Sequence, residues 1–323
     1  MQEQKLRKVI WPLLNPDDGM MRNCRVRWDE IETAQGEYEF SAIQRALEET
    51  TAVSRCMLLT VEMSAPRWCA DIKNGFTELI ASLGAAYGKN PVIFGVNVTI
   101  PEHGISDDEA LACYFKAFPD AYLFVPPGFT ASVSGCKIGY SVNAESRMAF
   151  SEKSMKYPLK MRLEEVEAVG TEMAAACGIS VVETEDPARI NRPSHFGHRF
   201  RVEKLWMEPQ AGGLTVGARL TNEGNAPCYS DSRFLIRLNG SDVPDVRVCD
   251  LGVFGHEIAP GESTEAACVV ETRGLTPGEY DVHIGLRLEK TGYPVSFGIE
   301  GRISDGFYEG RMIYVHSETG SSL

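Results

Sequence analysis

The sequence predicts an α/β domain, a compact (β/α)8 barrel, followed by an all-β domain built as an antiparallel sandwich. Three observations predict it. The first ~190 residues alternate strand-like apolar runs with helical stripes. After Glu185 the helical stripes stop and EDPARINRPSHFGHRF carries two prolines. From Phe200 onward short alternating segments are separated by turn clusters such as EPQAGG, NEGNAP, APGES and TPGEY. The expected boundaries are residues 1–186 for the barrel, 187–199 for a linker and 200–323 for an Ig-like accessory sandwich.

Eight strands are expected in the first part: Trp11–Leu14, Asn23–Trp28, Ser54–Glu62, Val92–Ile100, Ala121–Val125, Lys137–Val142, Leu159–Glu164 and Ile179–Glu183. Helical patterns lie between most of them. The clearest is Phe76, Leu79, Ile80, Leu83 and Tyr87, spaced i, i+3, i+4, i+7, i+11 and ending at Gly88. Ser41–Glu49, Asp107–Phe118 and Val166–Cys177 are further helices, the last stopped by Gly178. Short connections compress this barrel below the ~250 residues usual for eight strand–helix units. In the second part RFRVEKLWM, GLTVGARLTN, RFLIRLN, TEAACVVET, YDVHIGLRL and GRMIYV read as strands of two antiparallel sheets.

Composition narrows the function. Of 323 residues, 43% are hydrophobic and 24% charged, which is ordinary for a globular protein. A formal net charge of −13 argues against nucleic acid or an anionic membrane as partner, since both require a basic face. No apolar run approaches the ~20 residues of a membrane span. The N-terminus MQEQKLRKVIWPLL lacks the features of a signal peptide, and nine cysteines without CxxC or CxxH spacing read as reduced, buried thiols. A cytoplasmic location is expected on both counts. His103, His195 and His198 make no metal spacing with cysteines or carboxylates, so neither metal nor cofactor is expected.

Four motifs carry a resemblance. In order, LLNPDDGM, RVRWDEIETAQGEYEF, APRW and FTELIASLGAAYGKNPVIFGVNV resemble the barrel of retaining (β/α)8 glycoside hydrolases, in particular β-galactosidase-like and DUF4832-type bacterial proteins. The loop after the second strand fits that family pattern at Trp28, Ile31, Glu32, Gly36, Tyr38 and Phe40, with Thr33 in place of a proline. LTNEGNAPCY, APGES and LTPGEYDVHIGL look like the sandwich that follows such barrels.

The resemblance implies a carbohydrate substrate and two carboxyl groups, an acid/base after strand four and a nucleophile after strand seven. On strand seven, PLKMRLEEVEA, Leu159, Met161 and Leu163 share the outer face, which leaves Lys160, Arg162 and Glu164 inside. Glu164 is therefore the expected nucleophile, against a structural ion pair with Arg25 or Arg162. Glu165 is expected to open the next helix. After strand four the acid is Glu102, next to His103; a bulge or Pro101 must re-aim it, because it is out of step with Asn97 and Thr99.

Arg25, Trp28, Glu62, Trp68, His103, Tyr140 and Asn143 are the expected substrate-binding residues. Trp28 is either a sugar-stacking platform or a core wedge. Three functions follow: a retaining glycosidase, a catalytically inactive barrel that binds glycan or protein, or a structural protein with an adhesive sandwich. The sequence leaves the oligomeric state open.

Overall fold

The computed structural model describes residues 8–10, 20–53, 55–102, 104–129, 135–146, 156–183, 196–295, 297 and 302–316, with backbone alone at 8–10 and 20–21. The chain divides into two compact units. One comprises Met1–Pro12 and Pro16–Phe196; the other comprises Leu13–Asn15 and Gly197–Leu323.

In the first unit the elements are β1 (Lys8–Ile10), β2 (Met20–Arg27), α1 (Trp28–Ile31), β3 (Glu32–Ala34), β4 (Glu37–Tyr38), α2 (Ser41–Ala52), β5 (Met57–Glu62), α3 (Ile72–Tyr87), β6 (Ile93–Asn97), α4 (Asp107–Ala117), β7 (Tyr122–Val125), β8 (Ile138–Ser141), β9 (Leu159–Arg162), α5 (Leu163–Val169), α6 (Thr171–Ala176) and β10 (Ile179–Glu183). The strands close in the order β1-β10-β9-β8-β7-β6-β5-β2. Seven of them, β2 and β5 to β10, run parallel as one curled sheet.

This overturns the expected (β/α)8 barrel. The three-residue β1 pairs antiparallel with both β10 and β2, so the closing strand breaks the all-parallel rule. Only six helices lie among the described residues, and α1 is a single turn. The physical reason is the length of a connection. A parallel crossover of strand, helix and strand needs a dozen or more residues between strands, and only residues 11–19 separate β1 from β2, which suits an antiparallel return. The expected strand Trp11–Leu14 lies outside the described residues.

Helix–sheet packing follows the sequence closely where helices do form. In α3 the stripe Phe76, Leu79, Ile80, Leu83 and Tyr87 is buried, and the Asp71 side chain accepts from Asn74 N at 3.0 Å to cap its first turn. In α4 Ser106 and Glu109 form a reciprocal capping box. The two helices approach closely at Gly84, where a Cβ would stand 2.6 Å from Ala117 Cα.

The second unit holds two antiparallel sheets. The first is β11 (Phe200–Gln210), β12 (Gly213–Asn222) and β15 (Ser263–Glu271), in the order β11-β12-β15. The second contains β13 (Ser232–Gly240), β14 (Val246–Phe254), β16 (Gly278–Leu288) and β17 (Pro294–Val295) in the order β14-β13-β16-β17, and β18 (Tyr308–Val315) pairs with β16. Val216, Ala218 and Leu220 of β12 share one core with Phe234, Ile236 and Leu238 of β13 and Val282, Ile284 and Leu286 of β16. Period-two alternation places one face of each sheet in this core.

Candidate functional site

The curled sheet carries a polar row across its interior. Parallel register aligns Arg25 with Thr60, Thr60 with Asn97, Asn97 with Phe124, and Phe124 with Gly139. On the far side Ser141 aligns with Lys160. Strands covered on both faces are ordinarily apolar throughout, so polar side chains at these positions need partners. They find them in one another. Lys160 Nζ donates to Asn97 Oδ1 at 2.6 Å, Asn97 Nδ2 to Thr60 Oγ1 at 2.6 Å, and Thr60 Oγ1 to Asn23 Oδ1 at 3.0 Å. All four residues are buried, and Lys160 is 7% exposed.

Phe124 fits between this row and β8 because its neighbours lack side chains. A Cβ at Gly139 would sit 2.6 Å from the Phe124 ring, and one at Gly95 would sit 2.8 Å from it. Lys160 Nζ lies 5.8 Å from the ring centroid, within cation–π range.

Above the row opens a cavity of about 380 Å³. Its polar wall comprises Arg25, Glu62, Asn143, Lys160, Arg162 and Glu165, and Phe124, Pro126 and Pro127 supply apolar surface. Arg25 Nη1 donates to Glu62 Oε1 at 2.9 Å. Glu165 Oε2 accepts from the Ala144 N–H at 2.9 Å, which ties α5 to the loop after β8. Asn143 Oδ1 accepts from Ser146 N at 2.8 Å in the same loop. The volume matches a monosaccharide-sized ligand, at the lower end of ordinary ligand pockets.

The expected site residues separate into three groups. Arg25, Glu62 and Asn143 line the cavity. Glu102 and Glu164 are exposed and outside its lining. Glu164 leaves the strand because β9 ends at Arg162 and Leu163 starts α5, whose Leu163 and Val166 turn to the core. Its neighbour Glu165 reaches the cavity instead. Trp28 is fully buried: its Nε1 donates to Glu32 Oε2 at 2.6 Å, and Glu32 Oε1 accepts from Gly36 N at 2.9 Å. Of its two readings the core wedge holds.

Tyr140 packs edge-on against Tyr157 and against the buried cluster under α5, on the opposite parity from Ser141. Trp68 lies outside the cavity lining in the loop after β5 and is 36% exposed. His103 and His195 lie outside the described residues. His198 belongs to the second unit, where burial pushes its imidazole down to about 3.

Lys160, Asn97, Thr60, Asn23 and Glu165 were not expected as site residues. Parity held the signal for the first four: each is a polar residue on the inward step of a parallel strand. Glu165 gave none, because its placement depends on where β9 stops.

All nine cysteines are free. Among the described residues no helix is long and apolar enough to cross a membrane.

No family model matches the chain, and no curated protein matches it. The likeness to β-galactosidase-like and DUF4832-type proteins therefore rests on motif order alone. Among solved structures the chain is similar to β-glucosidase 3B from Thermotoga neapolitana in complex with glucose, at 11% identity over 96% of this chain and 53% of that one, with TM-score 0.27. It is also similar to catalytically inactive OgpA from Akkermansia muciniphila in complex with an O-glycopeptide substrate, at 10% identity over 81% and 93%, TM-score 0.24. A third is the Pseudomonas fluorescens alkylpurine DNA glycosylase AlkC bound to DNA, at 15% identity over 35% and 30%, TM-score 0.24. The chain spans about a third of that glycosylase and about half of the Thermotoga enzyme. Glycoside hydrolases recur among these neighbours, at TM-scores too low to establish a shared fold or activity.

Proposed function

We propose that the curled-sheet unit is a glycosidase-like carbohydrate-binding module that recognises its ligand in the cavity over Phe124. The observation that carries this reading is the hydrogen-bonded chain Lys160–Asn97–Thr60–Asn23 beneath the cavity. Preorganised donors and acceptors above an apolar ring suit a sugar, whose hydroxyls require directed hydrogen bonds and whose C–H face suits an aromatic ring. Recognition is favoured over cleavage because Glu102 and Glu164 both lie exposed outside the cavity lining.

One observation favours hydrolysis as the second reading: Glu62 and Glu165 line the same cavity. Glycoside hydrolysis needs two carboxyl groups flanking the bond. A glycan array combined with an aryl-glycoside screen separates the two readings. Recognition predicts specific glycan binding and no turnover. Turnover abolished by Glu62→Gln or Glu165→Gln supports hydrolysis by the cavity pair, and turnover abolished by Glu102→Gln or Glu164→Gln returns the chemistry to the rim. Absence of both binding and turnover overturns a carbohydrate role.

A further inference from the structure

We infer that Cys249 and Cys268 are a redox pair which glutathione disulfide closes into a covalent tie between the two sheets of the second unit. The inference concerns that unit alone and is independent of the carbohydrate reading.

The two sheets meet edge to edge where these cysteines sit. β14 ends one sheet and β15 ends the other, and the two strands approach each other although no ladder joins them among the described residues. Cys249 lies on β14 opposite Ile236 of β13, and Cys268 lies on β15 opposite Val216 of β12. Ile236 and Val216 belong to the core, so both cysteines are on the inward step of their strands. Cys268 is 8% exposed within that core, and Cys249 is half-buried against it. The Cys249 thiol donates to the Val269 carbonyl at 3.4 Å, which carries the β14 sulfur across the seam to the residue after Cys268. The Cys268 thiol in turn hydrogen-bonds the Cys249 thiol.

Exposure and acidity set the order of the two steps. Burial, and then the hydrogen bond to Cys249, push the Cys268 thiol up and leave little thiolate there at neutral pH. Exchange therefore opens at the more exposed Cys249. Its thiolate attacks one sulfur of glutathione disulfide, forming a mixed disulfide and releasing one glutathione thiolate. The neighbouring Cys268 then attacks the Cys249 sulfur as thiolate and expels the second glutathione. The protein dithiol is oxidised by two electrons, glutathione disulfide is reduced to two glutathiones, and the two thiol protons pass to them. The new bond crosses a seam that backbone hydrogen bonds do not close, and it restricts the unfolded chain between the two strands.

Incubation of the full chain with glutathione disulfide under native conditions, followed by peptide mapping and calorimetric melting, tests the inference. The Cys249 and Cys268 thiols are expected to disappear together into one cross-linked peptide. The melting transition of the second unit is expected to rise by about 5 °C or more and to return with dithiothreitol. Cys268→Ser is expected to stop at a glutathione adduct on Cys249, and Cys249→Ser to leave Cys268 unmodified, neither with a gain in melting temperature. Absence of the Cys249–Cys268 peptide from the oxidised parent, or its appearance only after denaturation, overturns the inference. A cross-link that leaves the transition unmoved overturns it too, because the bond would then tie nothing. Should either variant not fold, the peptide map and melting transition of the parent protein decide alone.

Discussion

The indole Nε1 of Trp28 donates to Glu32 Oε2 across 2.6 Å, and the other oxygen of that carboxylate accepts from Gly36 N. Both side chains are buried, Trp28 completely. The RWDEIETAQGEYEF segment is thus held as a loop by one carboxylate bridging a core aromatic and a turn. Gly36 takes φ +74°, the left-handed region in which glycine carries no side-chain penalty. The stacked Tyr38 and Phe40 rings, 5.5 Å apart, continue the clamp.

Removing Glu32 strands the indole N–H and the Gly36 N–H together. Glu32→Ala is expected to destabilise by about 2–4 kcal/mol, since each buried unsatisfied donor costs about 1–3 kcal/mol. Glu32→Gln retains an acceptor oxygen and should lose less. Urea unfolding of the two variants checks the order; equal losses would show that the carboxylate's hydrogen bonds do not hold the loop.

The polar row makes a second prediction about stability. Asn97→Leu removes the acceptor of Lys160 and the donor to Thr60 at once. Disturbing a buried, hydrogen-bonded ammonium costs more than losing a neutral hydrogen bond, so a loss of about 3 kcal/mol or more is expected. The double variant Asn97→Leu/Lys160→Met removes the buried charge as well and should recover part of that loss. Calorimetric melting of the three proteins measures the coupling. Strict additivity would mean that the two residues do not act as a pair.

Helices α3 and α4 touch through Gly84 and Ala117. A Cβ at Gly84 would meet the Ala117 Cα at 2.6 Å, and backbone cannot yield as a flexible side chain does. Gly84→Val is expected to cost about 1–3 kcal/mol through overpacking. A melting temperature unchanged from the parent protein would contradict this contact.

In the second unit, His198 is buried beside Phe200, and neither ring nitrogen has a hydrogen-bond partner among the described residues. Burial holds the folded-state imidazole at about 3, below the ordinary 6.5 of the unfolded chain. Below pH 6.5 the unfolded state therefore binds a proton that the native state refuses. The contribution of neutral His198 is fully present above 6.5 and is lost as pH falls toward 3. His198→Phe should flatten this part of the stability–pH curve and stabilise at acidic pH. Parallel slopes for parent and variant between pH 6.5 and 4 would refute the assignment.

Strand positions were legible because their signal is local. β5 through β10 fall inside their expected runs, and the α3 stripe is buried as its spacing required. Closure was less legible. Whether a three-residue β1 runs parallel or antiparallel depends on long-range pairing that no local period encodes. The site shows the same division. Parity brought Arg25, Glu62 and the inward Lys160 to the interior, but it also carried Glu164 inward by assuming that β9 continues past Arg162. One residue of helix start exchanges Glu164 for Glu165 at the cavity, because strand alternation stops where α5 begins. Trp28 reads alike as platform or wedge until its burial is known.

The central claim, that the cavity over Phe124 is where a carbohydrate binds, is tested most directly by filling that cavity. Ser141→Trp places an indole on its wall, next to Lys160 on the neighbouring strand, and leaves the residues of the Lys160–Asn97–Thr60 chain themselves unchanged. Calorimetric titration of the parent and this variant with the sugar that binds the parent is the measurement. Loss of at least tenfold in affinity, with an unchanged melting transition, is the predicted result. Undiminished binding by the filled variant would place the ligand elsewhere and contradict the account.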